Sequence, residues 1–352
     1  MARPGFQCWA ARFPLTSGMI RRDGEVLFDL VAGFIHSQVL AALLELRVIE
    51  TLQFGPARID VLALAAGADP VRMAVLLRAG GAIDLIKRTR SGKWKLTRRG
   101  AVLPGIPGLA ALIAHHRVLY DDLSDPAAFF RRGGDTGLSQ FWPYVFGAAK
   151  VQDSDTAECY SRLMTDSQAL VAEETLDAVS LKGVRHLMDV GGGAGAFLEA
   201  VAARYPGLDL TLVDLPPVVQ VARTRSDNAK AGARITLHPA NFRYDPLPAG
   251  ADAISLIRVL YDHGDDTVQV LLDKVFALLP PDGRLIVSEP MLGTRAGDAY
   301  FAVYTLAMGT GRTRSASEIS AFLAGAGFRD VTVAKTRRPF VTTAITARKP
   351  DS

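Results

Sequence analysis

From His186 onward, short apolar runs alternate with helical patterns, and few folds accommodate that alternation. The runs are Leu187 to Val190, Leu210 to Val213, Ile235 to Pro239, Ala253 to Ile257 and Leu285 to Ser288. Strands interleaved with helices in this order form a mostly parallel, doubly wound sheet with helices on both faces. Two late runs, Val331 to Ala334 and Thr343 to Ala347, complete the predicted sheet.

Upstream the pattern changes. From Phe28 to Leu46, the residues Leu30, Val31, Phe34, Ile35, Val39, Leu43 and Leu44 recur every three or four positions, which predicts an amphipathic packing helix. Ile59 to Ala66 and Val71 to Ala79 read as two shorter helices. Between them, Asp69 and Pro70 supply an N-cap and a first helical residue. Ile83 to Arg88 and Lys93 to Thr97 read as strands around Ser91-Gly92, which makes a helix-turn-helix followed by a wing. Pro104 to Val179 is mostly helical and holds the aromatic stretch Phe141-Trp142-Pro143-Tyr144. At 352 residues the chain exceeds one core. The expected α/β organisation is a winged-helix-like domain over 1–105, a helical connector and pocket wall over 106–179, and the sheet domain over 180–352.

The 49% hydrophobic and 22% charged residues leave no place for a disordered or low-complexity chain. Cys8 and Cys159 lie far apart without metal-ligand spacing, so neither a disulfide framework nor a metal site is expected. No signal peptide is apparent, and no run is expected to span a membrane. The predicted location is the cytoplasm, with peripheral contact at the inner membrane left open. The net charge of +4 is uneven, about +7 over the first 105 residues and about −3 over the rest. Lys87, Arg88, Arg90, Lys93, Lys95, Arg98 and Arg99 carry much of the excess.

The richest motif is Asp189-Val190-Gly191-Gly192-Gly193-Ala194-Gly195, which follows a strand and opens a helix. It is either a structural turn or a cofactor loop whose glycines let the backbone approach a ligand and whose helix start binds an anionic group. Gly191, Gly193 and Ala196 also fit GxGxxA, with Asp214 ending the next strand, so a nicotinamide dehydrogenase is one reading.

Asp189 to Gly195 followed by Val213-Asp214-Leu215-Pro216 resembles the class I S-adenosylmethionine-dependent small-molecule O-methyltransferases that carry an N-terminal winged-helix dimerisation domain. Further segments agree in order: Asn241-Phe242 with Asp245-Pro246-Leu247-Pro248, Arg258 to Asp266, and Leu279 to Glu289. Arg258 to Asp266, Ala296 to Ser315 and Arg337 to Thr343 resemble the bacterial hydroxyneurosporene (demethylspheroidene) O-methyltransferases of carotenoid biosynthesis.

The resemblance implies a Rossmann-like domain that binds S-adenosylmethionine, a hydrophobic small-molecule acceptor and a homodimer. It implies that Gly191 and Gly193 cradle the amino-acid end of the cofactor, with the loop amides facing its carboxylate. Asp189 supports that end, Asp214 and the adjoining Leu215 hold the ribose, Asn241 and Phe242 border the adenine, and Arg258 takes the family's basic position. The family's histidine base is replaced here by Tyr261. A phenol with an ordinary pKa of about 10 is suited to orienting an acceptor, which leaves His263 as the candidate base and Glu289 as its orienting partner or a strand-end hydrogen-bond acceptor. A further glutamate of the family is replaced near Thr313. Met164, Tyr304 and Met308 line the acceptor pocket or belong to the core, and His115 and His116 are equally open.

Other readings remain at this level: a winged-helix regulator, the dehydrogenase, a methyltransferase of a bacteriochlorophyllide, phenol or polyketide, and a catalytically silent scaffold. The regulator is disfavoured because Val71, Met73, Ala74, Val75, Leu76 and Leu77 leave only Arg72 and Arg78 to touch nucleic acid. No nucleic-acid partner is expected.

Overall fold

The computed structural model describes residues 16–131, 136–141, 168–228 and 235–351, together with Arg3, Trp9, Phe13 and Pro14. The chain forms two units, Met1–Ala110 and Ala111–Ser352. The connector helices beyond Ala110 thus group with the sheet.

In the first unit a long helix spans Ser17–Glu45. Its C-terminal part packs: Leu43 is fully buried, and Val39, Leu40 and Leu44 lie against the same core. Its middle part does not pack, contrary to expectation. Leu30, Val31 and Phe34 are 72%, 72% and 64% exposed, because no other described segment of the unit covers that stripe. This helix is also long and apolar enough to cross a membrane by length and composition, which corrects the expectation that no run is. Helix Ile59–Ala66 ends at left-handed Gly67, and Asp69 caps helix Pro70–Ala82 by accepting from the Val71 and Arg72 N–H groups at 2.9 and 3.0 Å. That helix runs past Ala79, so the first wing strand starts only at Ile86. Strands β1 (Ile86–Arg88) and β2 (Trp94–Leu96) pair antiparallel, and Trp94 also bridges Ala57.

The second unit contains a seven-stranded sheet in the order β5-β4-β3-β6-β7-β9-β8. Its strands are β3 (His186–Val190), β4 (Asp209–Asp214), β5 (Ile235–Pro239), β6 (Ala253–Ile257), β7 (Arg284–Glu289), β8 (Arg329–Ala334) and β9 (Thr343–Arg348). All seven runs predicted for this sheet are strands. The first five are parallel, and β9 lies antiparallel between β7 and β8. Every residue of β6 is buried, as befits a strand covered on both faces. The chain leaves β3 for β4 on one side and later returns to β6 on the other. The β3/β6 boundary is therefore the topological switch point, where doubly wound sheets hold their ligands beyond the carboxyl ends of the strands.

Candidate active site

The glycine loop sits at that switch point. Gly191, Gly193 and Gly195 have φ of +72°, +59° and +86°, and helix Ala196–Arg204 follows directly. The Gly191 N–H donates to the Val213 carbonyl at 2.8 Å, the Gly193 N–H to Asp214 Oδ2 at 2.7 Å, and the Gly195 N–H to the Gly192 carbonyl at 3.0 Å. The N–H groups of Gly191, Gly193 and Gly195 are thus satisfied within the protein. Asp214 also accepts from the half-buried Leu215 N–H at 2.7 Å, so it clamps the loop while each of its oxygens keeps a second lone pair. Burial pushes its carboxyl up to about 6 against those two bonds.

Asp189, at the end of β3, is fully buried. Its Oδ1 accepts from Ser255 Oγ at 2.6 Å, and its Oδ2 has no partner among the described residues. Burial raises this carboxyl to about 7; the Ser255 bond lowers it and the Asp214 charge raises it further. Asp189 accepts no backbone N–H among the described residues. Gly192 is dictated by this carboxylate, since a Cβ there would lie 2.6 Å from Asp189 Oδ2. Gly192→Ala must therefore rotate the acid or shift the loop. We expect a loss of about 1–3 kcal/mol, read as a melting temperature lower by roughly 2–4 °C per kcal/mol. An unchanged melting temperature would mean that the loop yields freely.

After β5, Asn241 shapes a turn: its Oδ1 accepts from the Arg243 N–H at 3.0 Å and its own N–H donates to Asp245 Oδ2 at 2.7 Å. Phe242 packs on the large core and meets the His263 ring edge-on at 5.2 Å. After β6, Arg258 adopts a left-handed backbone (φ +58°) and donates from Nη2 to the Tyr261 hydroxyl at 3.2 Å. The guanidinium also lies over the Tyr261 and Phe301 rings, at 5.8 and 5.6 Å. Burial holds the Tyr261 phenol well above its ordinary pKa, so Tyr261 is a neutral hydroxyl.

His263 is buried, and its Nδ1 lies 2.9 Å from Arg243 Nη2. A guanidinium only donates, so Nδ1 accepts and Nε2 carries the proton. Burial, then the Arg243 and Arg314 charges, lower this imidazole to about 3. With its lone pair engaged, His263 is poorly placed to act as a base. Glu289, at the end of β7, accepts from the Val259, Leu260 and Tyr261 N–H groups at 2.9, 2.8 and 3.3 Å. It caps the turn that carries Tyr261 and does not touch His263 through any of these bonds. Burial raises it to about 7 despite the three N–H donors.

Facing Tyr261 and Arg258 through Phe301 is a π-helical segment, Ala296–Phe301, running into helix Ala302–Met308. Such wide turns are frequent at functional sites. Tyr304 and Met308 are buried with Leu138 and Ala307 in a small cluster. Tyr304 Oη lies 3.0 Å from His115 Nε2, and Tyr300 Oη lies 2.9 Å from His116 Nε2. Met164, and all of Phe141-Trp142-Pro143-Tyr144 except Phe141, lie outside the described residues.

Several residues that hold this site were not singled out from sequence. Arg314 is fully buried and donates to the Leu260 and His263 carbonyls, both at 2.8 Å, and to Asp265 Oδ1 at 2.6 Å. Gly311 (φ +71°) presses on the turn, where a Cβ would lie 2.1 Å from the Tyr261 carbonyl. Asp262 Oδ1 is buried without a partner among the described residues. Ser255 and Arg243 complete the set. Only Gly311 left a signal, as a glycine between polar residues near the end of a helical pattern.

The donor set fits a cofactor with a cationic amino group and a ribose. Asp189 Oδ2 is a buried acceptor awaiting a donor, Asp214 has spare acceptor capacity, and open space lies beside the Gly193 Cα. It fits a pyrophosphate poorly, since two acids flank a loop whose glycine N–H groups at 191, 193 and 195 are already bonded.

An O-methyltransferase domain model matches residues 120–329 and an O-methyltransferase dimerisation domain matches 28–104. The chain is 51% identical over 349 residues to the demethylspheroidene O-methyltransferase of Cereibacter sphaeroides, covering 98% of this chain and 92% of that one. It is 49% identical to the Rhodobacter capsulatus protein of the same name over 342 residues, 96% and 85% of the two chains. Human N-acetylserotonin methyltransferase, solved in complex with SAM, superposes with a TM-score of 0.79 at 26% identity, covering 94% of this chain and 98% of that one. The domain match and the near-complete alignment with these enzymes place the chain in the O-methyltransferase family.

Proposed function

We propose that this O-methyltransferase moves a methyl group from S-adenosylmethionine to the 1-hydroxyl of an acyclic carotenoid of the hydroxyneurosporene or demethylspheroidene type. The 51% identity along 98% of the chain carries the acceptor assignment. The unpartnered Asp189 Oδ2 supports the cofactor assignment. In this reading Asp189 receives the cofactor's ammonium, Asp214 and Leu215 border the ribose, Asn241 and Phe242 flank the adenine, and the glycines at 191 and 193 give room. When bound, S-adenosylmethionine supplies an electrophilic methyl carbon on a sulfonium.

What the chain contributes is then positioning in a dry pocket. Arg258 fixes the Tyr261 hydroxyl, which donates to the acceptor oxygen; Glu289 and Arg314 hold the turn on which Tyr261 stands. His263 serves as packing beside Phe242 and Arg243. Tyr304 and Met308 form apolar wall. The chain acts as a homodimer, because the bare stripe of Ser17–Glu45 falls largely inside the segment matched by the dimerisation domain. A cytoplasmic enzyme touching the inner membrane peripherally would meet a lipid-soluble acceptor.

The test is incubation with methyl-labelled S-adenosylmethionine and hydroxylated acyclic carotenoids, bacteriochlorophyllides, phenols and polyketide aromatics, following label into organic extract. We expect label in the 1-methoxy carotenoid. Label in another acceptor would keep the reaction and overturn the substrate.

A further inference from the structure

With Tyr261 where the family resemblance places a histidine, and the His263 lone pair held by Arg243, the acceptor's hydroxyl proton needs another destination. The wall over residues 296–308 offers one. Phe301 lies under the Arg258 guanidinium and meets the Tyr261 ring edge-on at 5.9 Å. Tyr304, three residues on, shares that helix face and lies within electrostatic reach of Arg258. Behind Tyr304 stands His115, from helix Leu109–Asp122, at hydrogen-bond distance.

We propose that Tyr304 and His115 form the proton relay of the methyl transfer: Tyr304 Oη receives the acceptor's proton as its own proton passes to His115 Nε2. The proposal rests on the methyl-transfer reading above. As the acceptor oxygen bonds to the methyl carbon, the carbon–sulfur bond breaks and its electron pair stays on sulfur. The hydroxyl proton goes to Tyr304 Oη, and the Tyr304 proton goes to His115 Nε2, leaving an ether and an imidazolium. His115 acts through Tyr304 and is a positioning residue; of the two, it is Tyr304 that meets the acceptor.

A weak base suffices for this step. An alkylated oxygen that still carries its proton is a far stronger acid than any imidazolium, so the transfer runs downhill. Burial, and then the neighbouring His116, hold His115 down to about 4, which keeps it neutral and ready at physiological pH. His115 is only half-buried, so its proton can leave to water after each turnover. Among the described residues, the charged and titratable groups facing the pair include His116 on the same helix, Tyr300 stacked on Tyr304 at 6.0 Å, and Arg258. The His116–Tyr300 pair has the same chemistry, but Tyr304 is the more deeply buried of the two tyrosines.

Two measurements test the relay. Nitrogen-15 shifts of His115 in the intact protein at pH 7 should show Nε2 unprotonated and accepting; a protonated Nε2 would overturn the relay without reference to turnover. In the carotenoid assay, Tyr304→Phe and His115→Ala should each lower kcat about a hundredfold, with KM changed less than about threefold. His115→Gln, which keeps a hydrogen bond to Tyr304 but takes no proton, should be as slow as His115→Ala. Added imidazole should restore His115→Ala and leave Tyr304→Phe slow. Full speed in His115→Gln would reduce His115 to a structural role, and losses confined to His116→Ala and Tyr300→Phe would move the relay to the other pair. Either result overturns the proposal while leaving the methyl-transfer reading intact. A wild-type protein inert toward every acceptor would sink the reading and the relay together.

Discussion

Asp189→Asn is expected to weaken S-adenosylmethionine binding by about two to three orders of magnitude. The wild-type carboxylate is fully buried, one oxygen held by Ser255 and the other without a partner among the described residues. An ammonium arriving there completes a buried ion pair, and deleting one member of such a pair costs about 3–5 kcal/mol, at 1.4 kcal/mol per tenfold in affinity. The variant's amide would also turn an N–H donor toward Ser255 or toward the ammonium. The pH dependence has a definite sign. Burial lifts the carboxyl to about 7 before the cofactor binds, so below that pH a proton must leave first, and affinity should fall by about tenfold per unit. Stability of the cofactor-free protein should run the other way. A raised folded pKa favours the protonated folded state, so stability is lost as pH rises from the ordinary carboxylate value toward 7. Calorimetric titration of wild type and Asp189→Asn between pH 5.5 and 8 checks both. Binding within threefold of wild type, or an equal pH slope in the variant, would remove Asp189 from the cofactor site.

The sheet was legible because its strands are short apolar runs bounded by turn residues, a purely local signal. The Asp69-Pro70 cap was legible for the same reason, since the Asp69 side chain accepts from the two N–H groups that follow Pro70. The glycine loop and Asp214 were visible as a motif, yet their roles toward each other were not: that Asp214 closes the loop through the Gly193 N–H depends on β3 and β4 being neighbours. The turn after β6 was read least well. Arg243 meets His263, Arg314 meets Leu260, and Ser255 meets Asp189 across 20, 54 and 66 positions, and no periodicity connects such partners. Glu289 shows the cost of that blindness. Sequence placed it correctly at a strand end, while its three backbone donors, all from the 259–261 turn, follow only from the β6/β7 pairing. The stripe of Ser17–Glu45 shows the converse. A helical period reports an apolar face and says nothing of whether the covering surface belongs to the same chain.

Arg314→Met should destabilise the fold by about 3–5 kcal/mol and disable catalysis in whatever protein remains folded. Arg314 is 2% exposed, yet its short hydrogen bonds go to two main-chain carbonyls, Leu260 and His263, that bracket Tyr261, and to Asp265 at the start of helix Asp265–Leu278, with a longer one to the Arg312 carbonyl at 3.4 Å. Methionine fills similar space with no donor. The His263 carbonyl then stays unsatisfied in a dry interior, at about 1–3 kcal/mol, and the Leu260 carbonyl, which keeps the His263 N–H at 3.1 Å, loses a charged donor worth about 1.5–3 kcal/mol. Asp265 suffers less, for it is half exposed and keeps Arg312 at 3.1 Å. For a chain of this size the total corresponds to a melting temperature roughly 10 °C lower, at 2–4 °C per kcal/mol. Because the freed carbonyls flank the turn, Tyr261 should also lose its fixed orientation, and kcat should fall well beyond what the unfolded fraction explains. Arg314→Lys is the discriminating variant. A single ammonium cannot reach two carbonyls held by separate arms of a planar fork, so it should recover less than half of the lost stability. Full recovery by lysine would mean that Arg314 contributes charge near Asp265 and not the geometry of the turn.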